Sequence, residues 1–278
     1  MLTNRRRLFQ GGLSLSAGLI GLSTFARAAE SPSLAPLKAA GLDPLDTYIR
    51  MFAAKTTGEE VAWWFMGGIP IEIENVGPLD TFQEETVRIH RADSVGATEA
   101  SFSWTEAGVF RDVVSGEVPT TGFNPATGAT TPHGSTLAGQ GMVATVTVKK
   151  AGDGLTVITD IPGTKFEPTI IDAQIDGDRV CLTHIEIKGR TNAEGKVNPN
   201  RTAFKIWASL AELKTKASNV KASGYYGVRN VATGKIGVNG LMHKAAMNEK
   251  VNPIAFERLR KHHPTFVTGD RFTPTWSK

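Results

Sequence analysis

With a single cysteine, Cys181, the chain can form no internal disulfide and no site built on paired thiolates. Beyond the first thirty residues no apolar run approaches the ~20 residues a bilayer core demands, which excludes a multi-span helical membrane protein. Signature motifs of catalysis are also missing. No G-x-S-x-G elbow presents a hydrolase nucleophile, and Cys181 lies in an apolar stretch where a thiol behaves as a small hydrophobe. No glycine-rich loop joins a strand to a helix to cradle phosphate, since Gly237 and Gly240 fall in a strand pattern. The six histidines, His90, His133, His184, His243, His262 and His263, make no helix-borne zinc pair. No cofactor and no metal are therefore expected. If a dispersed metal site exists, its first candidate ligands are His90, His133, His184 and Glu186.

What is present is a soluble, globular composition, 40% apolar and 21% charged. The net charge of +4 comes from one place. Residues 1–28 hold Arg5, Arg6, Arg7 and Arg27 and no acidic side chain, so the remainder is formally neutral. Without a basic surface, phosphate-dominated nucleic-acid binding is not expected. The same 28 residues read as an export signal: a basic start, an apolar stretch from Leu13 to Phe25 broken by Gly and Ser, and Ala26-Arg27-Ala28 as a cleavage site. Arg6-Arg7-Leu8-Phe9 resembles the twin-arginine motif, which implies export of an already folded protein, cleavage near Ala28-Ala29 and a periplasmic location.

The expected organisation is a signal over 1–28, an irregular lead-in over 29–44 and one domain over 45–278. Period-two alternation bounded by turn residues dominates that domain. Strands are expected at Val61 to Phe65, Ile69 to Ile73, Thr86 to Arg91, Ala100 to Thr105, Val109 to Val114, Met142 to Lys149, Leu155 to Thr159, Thr169 to Ile175, Val180 to Lys188, Tyr225 to Val231 and Lys235 to Leu241. Asp176-Gly177 suits the positive φ of a tight hairpin turn. Helices are expected at Pro44 to Lys55, at Thr202 to Lys216 and at Pro253 to His262, where His262 and His263 complement the helix dipole. So many antiparallel strands with few helices predict a mainly β fold: a lipocalin-like closed or nearly closed barrel with a few flanking helices, because closure removes exposed edges.

Three segments carry a family resemblance: Phe110-Arg111-Asp112, then Ser115-Gly116-Glu117, then Phe123-Asn124-Pro125-Ala126-Thr127-Gly128. They resemble the tyrosine-rich strand, the Asp-x-x-Thr-Gly-Glu turn and the Trp-x-Asn-Pro-x-Thr-Gly turn of a bacterial and fungal family catalogued as domain of unknown function eighteen thirty-eight, with Phe123 standing where that family has Trp. The resemblance implies a mostly β, lipocalin-like fold and no established reaction. The same residues are also ordinary turn formers.

The strongest polar constellation is the strand Val180 to Lys188, whose alternation puts His184, Glu186 and Lys188 on one face. If that face points into the barrel, a carboxylate beside an imidazole tunes it for proton transfer; if outward, it is a solvated stripe. His184 and Glu186 are the expected acid–base pair, with Arg111 or Tyr225 stabilising developing negative charge. Asp112, Trp63, Trp104, Arg88, His90 and Asn124 are the expected ligand-binding residues. Two functions remain: a cofactor-independent lyase, isomerase or hydratase acting on a hydrophobic or aromatic small molecule, or a periplasmic carrier of such a molecule. The other expected partner is the twin-arginine export machinery, and a homodimer is left open.

Overall fold

Alternation of apolar and polar residues builds most of this protein, and the computed structural model shows where each alternating face points. It describes residues 33–272 apart from 74–76, 113–114, 119–120, 125–128, 133–142, 162–163, 168, 192–196, 232–235, 251 and 269–270; within strands, side chains at 69–73, 77–82, 121–124, 129–132, 190–191, 197–198, 230 and 236 are not described. Two short helices lead, α1 (Ala35–Ala39) and α2 (Pro44–Phe52). The strands β1 (Glu60–Ile73), β2 (Gly77–Val95) and β3 (Glu99–Asp112) follow, then the small hairpin β4 (Thr121–Asn124) and β5 (Ala129–Pro132). Next come β6 (Val143–Ala151), β7 (Gly154–Asp160), β8 (Thr164–Phe166), β9 (Ile170–Asp176), β10 (Arg179–Thr191) and β11 (Val197–Ser209). The short α3 (Leu210–Leu213), β12 (Ala222–Asn230), β13 (Ile236–Ala245), α4 (Pro253–His262) and α5 (Pro264–Thr268) complete the chain.

All strands except β4 and β5 share one antiparallel sheet in the order β7-β6-β3-β2-β1-β13-β12-β11-β10-β8, with β9 also paired to β10. The two ends of that path meet. Ile161, just past β7, bridges to Thr164 of β8, and Thr159 of β7 donates to Glu186 of β10 at 3.1 Å. The sheet is thus nearly closed into a barrel, as its alternation predicts, and the edges that would invite aggregation are largely consumed. Hairpins fall at the glycines expected for them: Gly152 (φ +54°) joins β6 to β7 and Gly177 (φ +58°) joins β9 to β10.

Inward faces of the strands make the main core, with α2 packed against them through Tyr48, Ile49, Met51 and Phe52. Asp43 caps α2 by accepting from the Asp46 amide at 2.9 Å, and Pro44 opens its first turn. At the other end, the orphan carbonyls of Arg50 and Ala53 accept from Lys244 Nζ at 2.7 and 2.6 Å, so a strand side chain holds the helix in place. Burial pulls the Lys244 ammonium down to about 7, against the pull of the Glu59 and Glu212 carboxylates. A second core lies outside the barrel, where Ala62, Trp64, Val87, Ile89 and Ala107 are covered by Ala255, Phe256 and Leu259 of α4 and Phe266 of α5. The His263 ring donates to the Gly108 carbonyl at 2.8 Å, so it ties α4 to β3 as well as ending the helix.

Two expectations need correction. Residues 202–209 extend as part of β11, and only Leu210–Leu213 are helical, capped by Ser209. The apolar residues there fit both periods, but Thr202, Phe204, Ile206 and Ala208 are buried in strict alternation, and hydrogen bonding to both β10 and β12 decides for the strand. The lead-in is not wholly irregular either, since α1 forms within it. Gly67 and Gly240, opposite each other in β1 and β13, mark a close approach of backbones: a Cβ on Gly240 would strike the Met66 carbonyl oxygen and Gly67 Cα.

Candidate functional site

Inside the barrel the inward faces of β1, β2, β3, β6, β10, β11 and β13 and the buried side of α2 line one cavity. Its walls are the rings of Tyr48, Phe52, Trp63, Phe65, Phe102, Trp104 and Phe204 with Val146 and Met242; Arg88, His90, His184 and Glu186 are its ionisable lining. The centre of a water-sized sphere can move through about 20 Å³ of it, while all the space between its atoms, opening to solvent included, is about 370 Å³. The inward face of β10 is the one that carries His184 and Glu186, and that of β2 carries Thr86, Arg88 and His90.

His184 is buried and held on both nitrogens. Tyr48 from α2 meets Nδ1 at 2.8 Å, and Glu186 Oε1 lies 3.1 Å from Nε2. Burial drives the Tyr48 hydroxyl well above its ordinary pKa, with the Glu186 charge adding to this, so the phenol stays protonated beside Nδ1. Nε2 faces the carboxylate, but its N–H direction misses the oxygen, so the two make a close contact rather than a well-aligned hydrogen bond. Burial alone would raise the Glu186 carboxyl. The His184 contact and the charges of His184, Lys188 and Arg88 outweigh it and hold Glu186 at about 2, down from 4.5. The arrangement is an oriented relay from Tyr48 through His184 to Glu186, closed by the Thr159 hydroxyl.

Arg88 is the cation of the site. Its Nε and Nη2 donate to Glu106 Oε2 at 2.9 and 2.6 Å, and its guanidinium lies 4.0 Å from the centre of the Trp104 ring, with Phe65 and Phe204 at 5.3 and 5.9 Å. Further along β2, Glu84 accepts from Tyr226 at 2.7 Å and Thr86 at 2.8 Å, and burial raises its carboxyl above the ordinary value. His90 differs from all of these. Its ring stacks on Phe102 at 5.1 Å between centroids, and burial, with the nearby charges of Arg88 and Lys244, keeps it uncharged at neutral pH.

The structure brings together Trp63, Arg88, His90, Trp104, His184 and Glu186 from the residues expected by sequence. Trp63 is fully buried and donates to the Phe52 carbonyl at 2.8 Å, while Trp64 faces the outer core. Three expected residues lie elsewhere. Tyr225 points outward and is 45% exposed, because Tyr226 takes the inward position of that strand. Arg111 lies on the outer face of β3, paired with Glu85 at 2.6 Å beside Arg258 of α4, and so cannot reach the cavity. Asp112 builds a turn, accepting from the Ser115 amide and hydroxyl at 2.7 and 3.0 Å, with Gly116 at φ +73°. The Asn124 side chain and His133 lie outside the described residues. Sequence reasoning missed Tyr48, Glu106 and the Phe65, Phe102 and Phe204 rings. Glu106 was within reach, since it shares the β3 face of Trp104; Tyr48 carried no signal, because nothing local places α2 over β10.

Among the described residues no three of His, Cys, Asp and Glu come together to hold a metal ion, and no helix there is long and apolar enough to cross a membrane. In comparisons with known proteins, no family model, no curated protein and no solved structure matches this chain.

Proposed function

We propose that the barrel is a cofactor-independent acid–base enzyme, a lyase, isomerase or hydratase acting on a hydrophobic or aromatic small molecule. The observation that carries this reading is the convergence of Arg88, His90, His184 and Glu186 on one aromatic-walled cavity. Burying ionisable groups costs several kcal/mol each unless they are paired, and clusters of them with shifted pKa values gather where proton transfer is needed. A carrier of apolar molecules needs none of them. In this reading the aromatic rings bind the substrate, Arg88 polarises it, and the Tyr48–His184–Glu186 relay sets the proton inventory of the cavity. His184, held between Tyr48 at Nδ1 and the Glu186 carboxylate beside Nε2, is a positioning residue in that scheme, and His90 is the imidazole free to meet substrate.

The test is turnover of a panel of small aromatic and unsaturated alcohols, ketones and acids, followed by proton NMR. Conversion of at least one member is expected, falling about a hundred- to ten-thousand-fold in His90→Gln. Tight binding without conversion across the panel instead makes the protein a carrier.

We further propose that residues 1–28 direct twin-arginine export to the periplasm, supported by Arg6-Arg7 and the Ala26-Arg27-Ala28 site. Arg6→Lys with Arg7→Lys should hold the precursor in the cytoplasm, and unchanged export would refute the route. The likeness to the domain-of-unknown-function family rests on the residues of the three segments between Phe110 and Gly128, of which 125–128 lie outside the described residues.

A further inference from the structure

His90 is 4% exposed, and neither of its ring nitrogens has a hydrogen-bond partner among the described residues. The Phe52 carbonyl beside it already accepts from Trp63 and is not in bonding geometry to the imidazole. Buried polar groups in folded proteins are almost always paired, with protein or with ordered water. The cavity that His90 lines offers the missing partner a place, since a water-sized sphere fits inside it and its centre has about 20 Å³ in which to move. Such a water also needs further polar neighbours, and Arg88, His184 and Glu186 line the same space.

We propose that this cavity is the binding site of one resident water molecule anchored by His90, and that this water is the co-reactant in hydration of a carbon–carbon double bond conjugated to a carbonyl. The second half rests on the acid–base reading above and narrows it to hydration and its reverse. Imidazole and carboxylate groups move protons, and an alkene carbon accepts water under such catalysis when a conjugated carbonyl makes it electrophilic. The water oxygen bonds to the β carbon while one of its protons passes to a His90 nitrogen. The π pair shifts to the α carbon, which then takes the proton back from the imidazolium. The product has gained the elements of water, and nothing is oxidised or reduced. Stacking on Phe102 fixes the plane of the His90 ring, so the water has a defined direction of approach. The Trp104 and Phe65 rings line the same space and offer an aromatic face to a small conjugated molecule.

Magnetic relaxation dispersion of water oxygen-17 counts long-lived internal waters in the whole protein. His90→Phe keeps the stack on Phe102 but removes both nitrogens, and should show one long-lived water fewer than wild type at unchanged Tm; His90→Gln should retain it. An equal count in His90→Phe overturns the site. Should that variant fail to fold, a wild-type crystal diffracting to ~1.2 Å decides, since a dry cavity at His90 overturns the proposal as surely. Turnover of conjugated enones and enoic acids in oxygen-18 water tests the chemistry, with one label expected in the product hydroxyl. Unlabelled product that carries a relocated proton makes the enzyme an isomerase and refutes hydration alone. No turnover of any substrate defeats the enzyme reading, while the water count still decides the site.

Discussion

Replacing Glu186 by Gln removes a charge while keeping the side chain's shape and its acceptor for Thr159. Burial opposes the ionised form, yet His184, Lys188 and Arg88 hold the folded pKa at about 2 against an ordinary 4.5. Each unit of difference is worth about 1.4 kcal/mol, so the ionised carboxylate contributes at most about 3 kcal/mol of stability. Because the folded pKa is depressed, that contribution is complete above pH 4.5 and drains away as pH falls towards 2. Urea titrations followed by tryptophan fluorescence, run on wild type and Glu186→Gln from about pH 7 to about pH 2.5, isolate the effect, since every other carboxyl is common to both. The stability gap should be about 3 kcal/mol at neutral pH and shrink to about 1 kcal/mol or less at the acid end. A gap that stays constant over that range would show that Glu186 is not held ionised by its neighbours, and the relay as described would fall.

Tyr48→Phe leaves His184 Nδ1 without its hydrogen-bond partner in a buried site and should cost about 1–3 kcal/mol in urea unfolding, with the helix content of the circular dichroism spectrum unchanged. The His90 ring, whose pKa burial lowers, should show no protonation by nitrogen-15 NMR around its ordinary 6.5; since the unfolded chain takes up that proton first, acidification through this range destabilises the fold. Gly240→Ala should force β1 and β13 apart and cost at least about 3 kcal/mol or abolish folding, whereas Gly177→Ala, at φ +58° with open space around it, should cost about 1 kcal/mol.

Parity along a strand is legible in a sequence; which parity faces inward often is not. The alternation of β10 puts His184 with Glu186, and that of β2 puts Arg88 with His90, and both pairs share the cavity. At Tyr225 and Tyr226 both faces look alike locally, and the inward choice is set by Glu84, far away in sequence, which accepts from Tyr226. Arg111 is likewise claimed by Glu85 of the neighbouring strand β2, which also accepts from Arg258 of α4. Sheet closure and the docking of α2 are long-range events. They supply Tyr48 to His184 across 136 positions of chain, and no window of residues records such a contact. The same holds for residues 202–209, where helical and extended periods coincide and only the neighbouring strands break the tie.

The central claim is that the ionisable lining of the barrel moves protons on a bound molecule. Its most direct measurement is deuterium incorporation in D₂O, in which small conjugated and aromatic carbonyl compounds are incubated with the protein and read by mass spectrometry at their carbon-bound hydrogens. Incorporation into at least one compound is predicted, catalytic in protein and lost in His90→Gln with Tm retained. Compounds that bind within the barrel yet keep all their carbon-bound protium would contradict it.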